Sequence, residues 1–115
     1  MRIVFSQEWD KLKKLRPKKL ITTFRRYTPQ KYKFYLNHFL KGTVFDIVLR
    51  DKKIATAQIC GIQIVESDRL DNNFIKQDTY KTWTKKHFKQ FLKQLYNIEK
   101  TKGIILVLKI NEAIL

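Results

Sequence analysis

The spacing of apolar side chains divides the chain into stretches of period two and stretches of period three to four. Arg2–Phe5 reads as a short strand. Ser6 is then a capping residue with Glu8 in the first turn, and Trp9, Leu12 and Leu15 recur at helical spacing until Pro17 stops them. Lys19–Arg26 is extended, with Leu20, Thr22 and Phe24 on one face. Thr28 followed by Pro29 starts a helix whose apolar stripe is Tyr32, Leu36, Phe39 and Leu40 and whose end is Gly42. Val44–Arg50 and Ile54–Val65 predict two strands joined as an antiparallel hairpin through Asp51-Lys52-Lys53. The second of them is expected to bend or bulge at Cys60-Gly61. Glu66–Gln77 is polar and loop-like. Asp78 or Thr79 then caps a long helix running to about Asn97, with Tyr80, Trp83, His87, Phe88, Phe91, Leu92 and Leu95 on one arc. After Gly103, the almost continuously apolar Ile104–Ile110 predicts a closing strand buried on both faces.

Five strands and three helices within 115 residues make a single α+β domain covering residues 1–115. Strands this short predict a small curled or closed β-barrel with the helices packed around it. A hydrophobic content of 43% supplies one core and excludes a disordered chain. The apolar run Ile104–Leu108 is far shorter than the ~20 residues of a membrane helix. Charged residues follow Met1–Phe5 at once, unlike a secretory leader, so the cytoplasm is the expected location, without membrane attachment.

Charge changes the picture most. Twenty-five Lys and Arg against ten Asp and Glu leave a formal net charge of +15. Between Lys11 and Phe45 there are eleven basic residues and no acid; between Thr79 and Ile98 there are five lysines and again no acid. Glu66, Asp68, Asp71 and Asp78 gather in the stretch between. Segregation of sign is what a one-sided polyanion-binding face requires, and nucleic acid is the expected partner, RNA ahead of DNA. A binder of duplex DNA or of an acidic protein is the second alternative, and a lysine-rich surface that only keeps the protein soluble is the bland one.

The segment Arg16-Pro17-Lys18-Lys19-Leu20-Ile21-Thr22-Thr23-Phe24-Arg25 resembles the Gly-Lys-Lys-Thr-x-Thr-Ile-Arg stretch of the ASCH domain family, a branch of the PUA-like superfamily of small β-barrels. Phe45-Asp46-Ile47-Val48 is similar to that family's Gly-Asp-x-Val phrase, and Lys53-Ile54-Ala55-Thr56-Ala57 to its turn and Ala-rich strand. A helix rich in aromatics and lysines and a closing apolar strand complete the likeness. What the resemblance implies is RNA binding or, in the hydrolase and ribonuclease members, chemistry on RNA or a modified nucleoside. There a lysine, a threonine and a glutamate act together. Thr23 takes the threonine place and Lys19 the lysine place with the loop shifted by one residue, since direct counting gives Leu20. Glu66 corresponds to the glutamate by rough position. The family's loop glycine is absent.

The binding residues follow from chemistry. Lys18, Lys19, Arg25, Arg26 and Tyr27 alternate cations with an aromatic ring along one strand, suited to phosphates and unpaired bases. The same residues read, alternatively, as a charged outer strand that resists aggregation. Lys85, Lys86, Lys89 and Lys93 occupy the polar side of the long helix, with Lys81 at its boundary; they extend a phosphate-binding surface or form an ordinary solvated face. Trp9 and Trp83 lie on apolar stripes and are expected in the core. His87 is expected on the buried arc and Cys60 as a small buried hydrophobe. Neither histidine has a second ligand at metal spacing and a lone cysteine builds no zinc site, so no metal or cofactor is indicated. A nucleophilic route would use Thr23 with Lys19 and an acid from Glu66 to Asp78.

Overall fold

The computed structural model describes residues 1–98 and 101–114. Five strands, β1 (Arg2–Phe5), β2 (Leu20–Arg26), β3 (Val44–Leu49), β4 (Lys52–Glu66) and β5 (Lys102–Ala113), form one mixed sheet in the order β1-β3-β4-β5-β2. β1 runs parallel to β3 and every other pairing is antiparallel. Three α-helices, α1 (Pro29–Lys41), α2 (Asn72–Asp78) and α3 (Lys85–Tyr96), complete an α+β fold.

The sheet is not a closed barrel: β1 and β2 are its two edges. They nevertheless approach one another, because the Arg25 guanidinium of β2 donates through Nη1 to the Val4 carbonyl of β1 at 3.0 Å. The curl encloses a core of Phe45, Ile47, Ala55, Ala57, Ile104, Leu106 and Leu108, all fully buried. The outer face of β2 and β5 carries a second cluster, in which Phe24 and Ile105 pack against Phe88 and Leu92 of α3. Gly103 is needed here. Its Cβ would stand 2.1 Å from the Phe24 ring, so the ring occupies the space a side chain would take. β5 is therefore fully buried on its inner face and half-buried on its outer one, rather than sealed on both.

Local chemistry explains α1. Thr28 accepts from Lys31 N–H at 3.0 Å, Pro29 occupies the first helical position, and Gly42 ends the helix at φ +66°. The hairpin between β3 and β4 turns on Arg50-Asp51, one residue earlier than expected; both residues have positive φ, as a two-residue connection with the right twist needs. β4 is bulged between Ile59 and Gly61.

Five expectations are corrected. The helix after Ser6 is only a 3₁₀ turn, Asp10–Leu12, because Lys11 and Leu12 both turn inward. The loop Glu66–Gln77 contains a 3₁₀ turn, Ser67–Arg69, and α2, whose first turn is capped by Asp71 accepting from Phe74 N–H at 2.7 Å. The long helix expected from Asp78 to Asn97 starts only at Lys85, since Asp78 ends α2 and Thr79 leaves helical geometry at φ −120°, ψ −105°. His87 is exposed, its Nδ1 accepting from Thr84 N–H at 3.1 Å at the start of α3, and Cys60 is exposed at the bulge.

Candidate functional site

The gap between the sheet edges is a cleft of about 130 Å³. Alternation along β2 aims Thr23 and Arg25 into it from one side. Val4 and Phe5 line it from β1, and Phe91, Leu92 and Tyr96 from α3. The 3₁₀ turn Asp10–Leu12 contributes Lys11, and the end of α2 contributes Asp78.

Lys11 Nζ lies 2.9 Å from Asp78 Oδ1, with both side chains almost entirely excluded from solvent. The same ammonium donates to the Thr22 carbonyl, which faces away from β5, and the Thr22 hydroxyl donates to Asp78 Oδ1 at 2.7 Å. Arg25 Nε donates to Thr23 Oγ1 at 3.1 Å and its guanidinium sits 4.9 Å from the Phe5 ring centroid. Arg25 Nη2 is buried with no hydrogen-bond partner among the described residues. Burial pushes the Lys11 ammonium below its ordinary value of 10.5, with Asp78 opposing the shift. Arg25 is lowered for the same reason, burial first. One buried and one half-buried cation against one carboxylate leave this cluster with an excess of positive charge.

A second recess, of about 430 Å³, opens on the other side of Lys11. Leu20, Ile21 and Thr22 line it, together with Lys19, Lys76 and Lys81. Asp10 lies at its rim, where Oδ2 accepts from Lys81 N–H at 2.8 Å; that hydrogen bond holds the carboxyl below its ordinary value. Lys19 is lowered by partial burial and then by its like-charged neighbours Arg16 and Lys14. A third cavity, of about 290 Å³, lies across α2 and is bordered by Lys85, Lys86 and Lys89.

The cationic residues expected from sequence therefore divide among several places. Lys19 and Lys81 meet at the second recess and Lys85, Lys86 and Lys89 at the third. Lys93 is exposed on α3, and Lys18 is exposed at the left-handed turn before β2. Arg25 is drawn into the seam and half-buried there. Arg26 lies over the Tyr96 ring at 5.0 Å, and Tyr27 is covered by Lys102 at 5.2 Å.

Lys19, Thr23 and Glu66 do not converge. Lys19 and Thr23 stand four residues apart along one strand, roughly 13 Å, and border different cavities. Glu66 is exposed at the end of β4 opposite Lys102, whereas Thr23 pairs with Leu106. The lysine and carboxylate that do meet beside the β2 threonines are Lys11, counted in sequence only among the basic residues of an acid-free stretch, and Asp78, expected as a helix cap. A lysine next to the apolar Leu12 was the only available signal for the first, and the second was one of the acids from Glu66 to Asp78 considered for a nucleophilic route. Trp9 is buried and Trp83 half-buried against it, their centroids 5.4 Å apart, as expected of core residues.

Among the described residues no helix is long and apolar enough to cross a membrane. No family model, no curated protein and no solved structure matches the chain.

Proposed function

We propose that the protein binds single-stranded RNA, in a cytoplasmic setting, across two lysine-bordered recesses separated by α2. The supporting observation is the grouping of Lys19, Lys76 and Lys81 around one recess and Lys85, Lys86 and Lys89 around the next, each over apolar side chains. Lysines grouped around a recess would neutralise phosphates, and apolar recesses accept bases that are not paired. A rigid duplex would meet the lysines but leave the recesses empty. Kinship with the ASCH branch of the PUA-like domains, in which the open β1–β2 seam would correspond to a barrel closed by side chains, is part of the same proposal.

The test is fluorescence anisotropy of a labelled 12-nucleotide RNA over a range of salt. Log affinity falls linearly with log salt, by ~0.7 per phosphate contacted. Duplex DNA or an acidic peptide that displaces the RNA at lower concentration than unlabelled RNA does, or affinity indifferent to salt, overturns the reading.

A second reading, a small hydrolase of RNA or of a modified nucleoside, is favoured by one feature. Lys11, Asp78 and Thr23 border one cleft, so the Asp78 carboxylate would serve as general base and the Thr23 hydroxyl as nucleophile. Turnover of a nucleoside ester or amide that survives Thr23→Ala sinks it.

A further inference from the structure

The cavity between the 3₁₀ turn Ser67–Arg69 and helices α2 and α3 has an apolar floor of Ile75, Phe88 and Leu92, all buried. Lys85 and Lys89 border it from α3, and Asp68 from the 3₁₀ turn. We propose that it is a guanine subsite, holding one unstacked guanine of the bound strand; this rests on the RNA reading and adds base preference to it.

Three observations lead there. The first is size: about 290 Å³ is nearly twice the ~150 Å³ apolar cavity that admits a benzene ring, so a bicyclic base fits where a single ring would be loose. The second is the polarity of the lining. An apolar floor receives the face of a base, while the flanking lysines receive the phosphate attached to it. The third is Asp68. Its side chain is exposed, and among the described residues the ion pairs are Lys11–Asp78, Lys13–Asp10, Arg50–Glu8 and Lys53–Asp46, so the carboxylate is uncommitted although lysines border the same cavity.

An ionised carboxylate only accepts hydrogen bonds. Guanine offers two adjacent donors, N1–H and the N2 amino group, on one edge, matching two carboxylate oxygens. Adenine offers a donor beside the N1 lone pair, which would face the carboxylate unfavourably. The walls are set in advance: Asp71 caps α2, and the Asn72 side chain accepts from Lys85 N–H at 3.0 Å, fixing the start of α3 against α2.

The experiment compares an RNA octamer of uridine with octamers carrying one central guanine or one central adenine, at low salt, with 5′-GMP and 5′-AMP titrated alongside. The single guanine raises affinity about tenfold, as a bidentate pair would, and adenine does not. Asp68→Asn removes that preference while thermal melting shows the fold intact. Equal affinity for the guanine and adenine octamers, or a preference that survives Asp68→Asn, overturns the subsite. Salt-dependent binding of the uridine octamer reports on the RNA reading alone. If it binds and guanine adds nothing, the subsite falls and RNA binding stands. If no octamer binds yet 5′-GMP does so through Asp68, the strand is wrong and guanine recognition stands.

Discussion

Lys11 and Lys19 border the same recess from opposite situations. Lys11 is buried, paired with Asp78 and bonded to the Thr22 carbonyl of an edge strand. Lys19 is half-buried at the surface, donates to the Lys13 carbonyl at 3.1 Å and has Arg16 and Lys14 for neighbours. The seam thus uses charge at short range, in fixed hydrogen bonds that complete a sheet the backbone leaves open. The recess uses it at long range, as a field over solvated side chains. A lysine's contribution is decided by what surrounds it, and net charge alone does not distinguish the two cases.

Removing one partner of the seam should have the largest effect. Lys11→Met strands the Asp78 carboxylate in a dry site and lowers unfolding free energy by about 3–5 kcal/mol, measured by urea denaturation. The double variant Lys11→Met/Asp78→Leu recovers most of that loss, since neither charge is then buried alone. A single-variant loss below about 1 kcal/mol would erase the distinction between seam and surface.

A smaller effect is expected in alkali. Because the Lys11 ammonium is lowered in the fold, the unfolded chain holds more protons between the folded value and 10.5. Stability attributable to Lys11 therefore rises as pH climbs through that window. Denaturation of wild type and Lys11→Met across the window isolates the contribution, and a falling difference would mean that the ion pair outweighs burial.

The smallest effect belongs to α3. Lys86→Ala or Lys93→Ala should change stability by no more than about 0.5 kcal/mol. If these side chains contact phosphates, each loss lowers the salt slope of RNA binding by ~0.7. A large stability loss at either position would show that the surface charges are also structural.

Features set by neighbouring residues were legible in sequence: the Thr28-Pro29 start of α1, its Gly42 end, the β3–β4 hairpin and the bulge at Gly61. Each depends on the conformational limits of one or two residues. The Lys11–Asp78 pair joins positions 67 residues apart, and no local pattern encodes it. It also explains the misjudged helix. Asp78 followed by Thr79 has the chemistry of a cap, but the carboxylate is committed to Lys11 and Thr22, so α3 begins at Lys85 instead. Cys60 was expected to be buried because cysteine behaves as a small hydrophobe, but it stands exposed at the bulge. Of the candidate site, the lysines were visible in the segregation of sign. The cavities between them depend on the placement of α2, which the polarity of Glu66–Gln77 concealed.

Strand pairing has a consequence for synthesis. β2 pairs only with β5, in register from Leu20 opposite Lys109 to Arg26 opposite Gly103, and β1 only with β3. The β3–β4 hairpin joins strands adjacent in sequence, but β2 has no strand to pair with until β5, Lys102–Ala113, has been made. The nascent chain therefore assembles outward from its middle, and its cationic second strand is among the last segments to find its place.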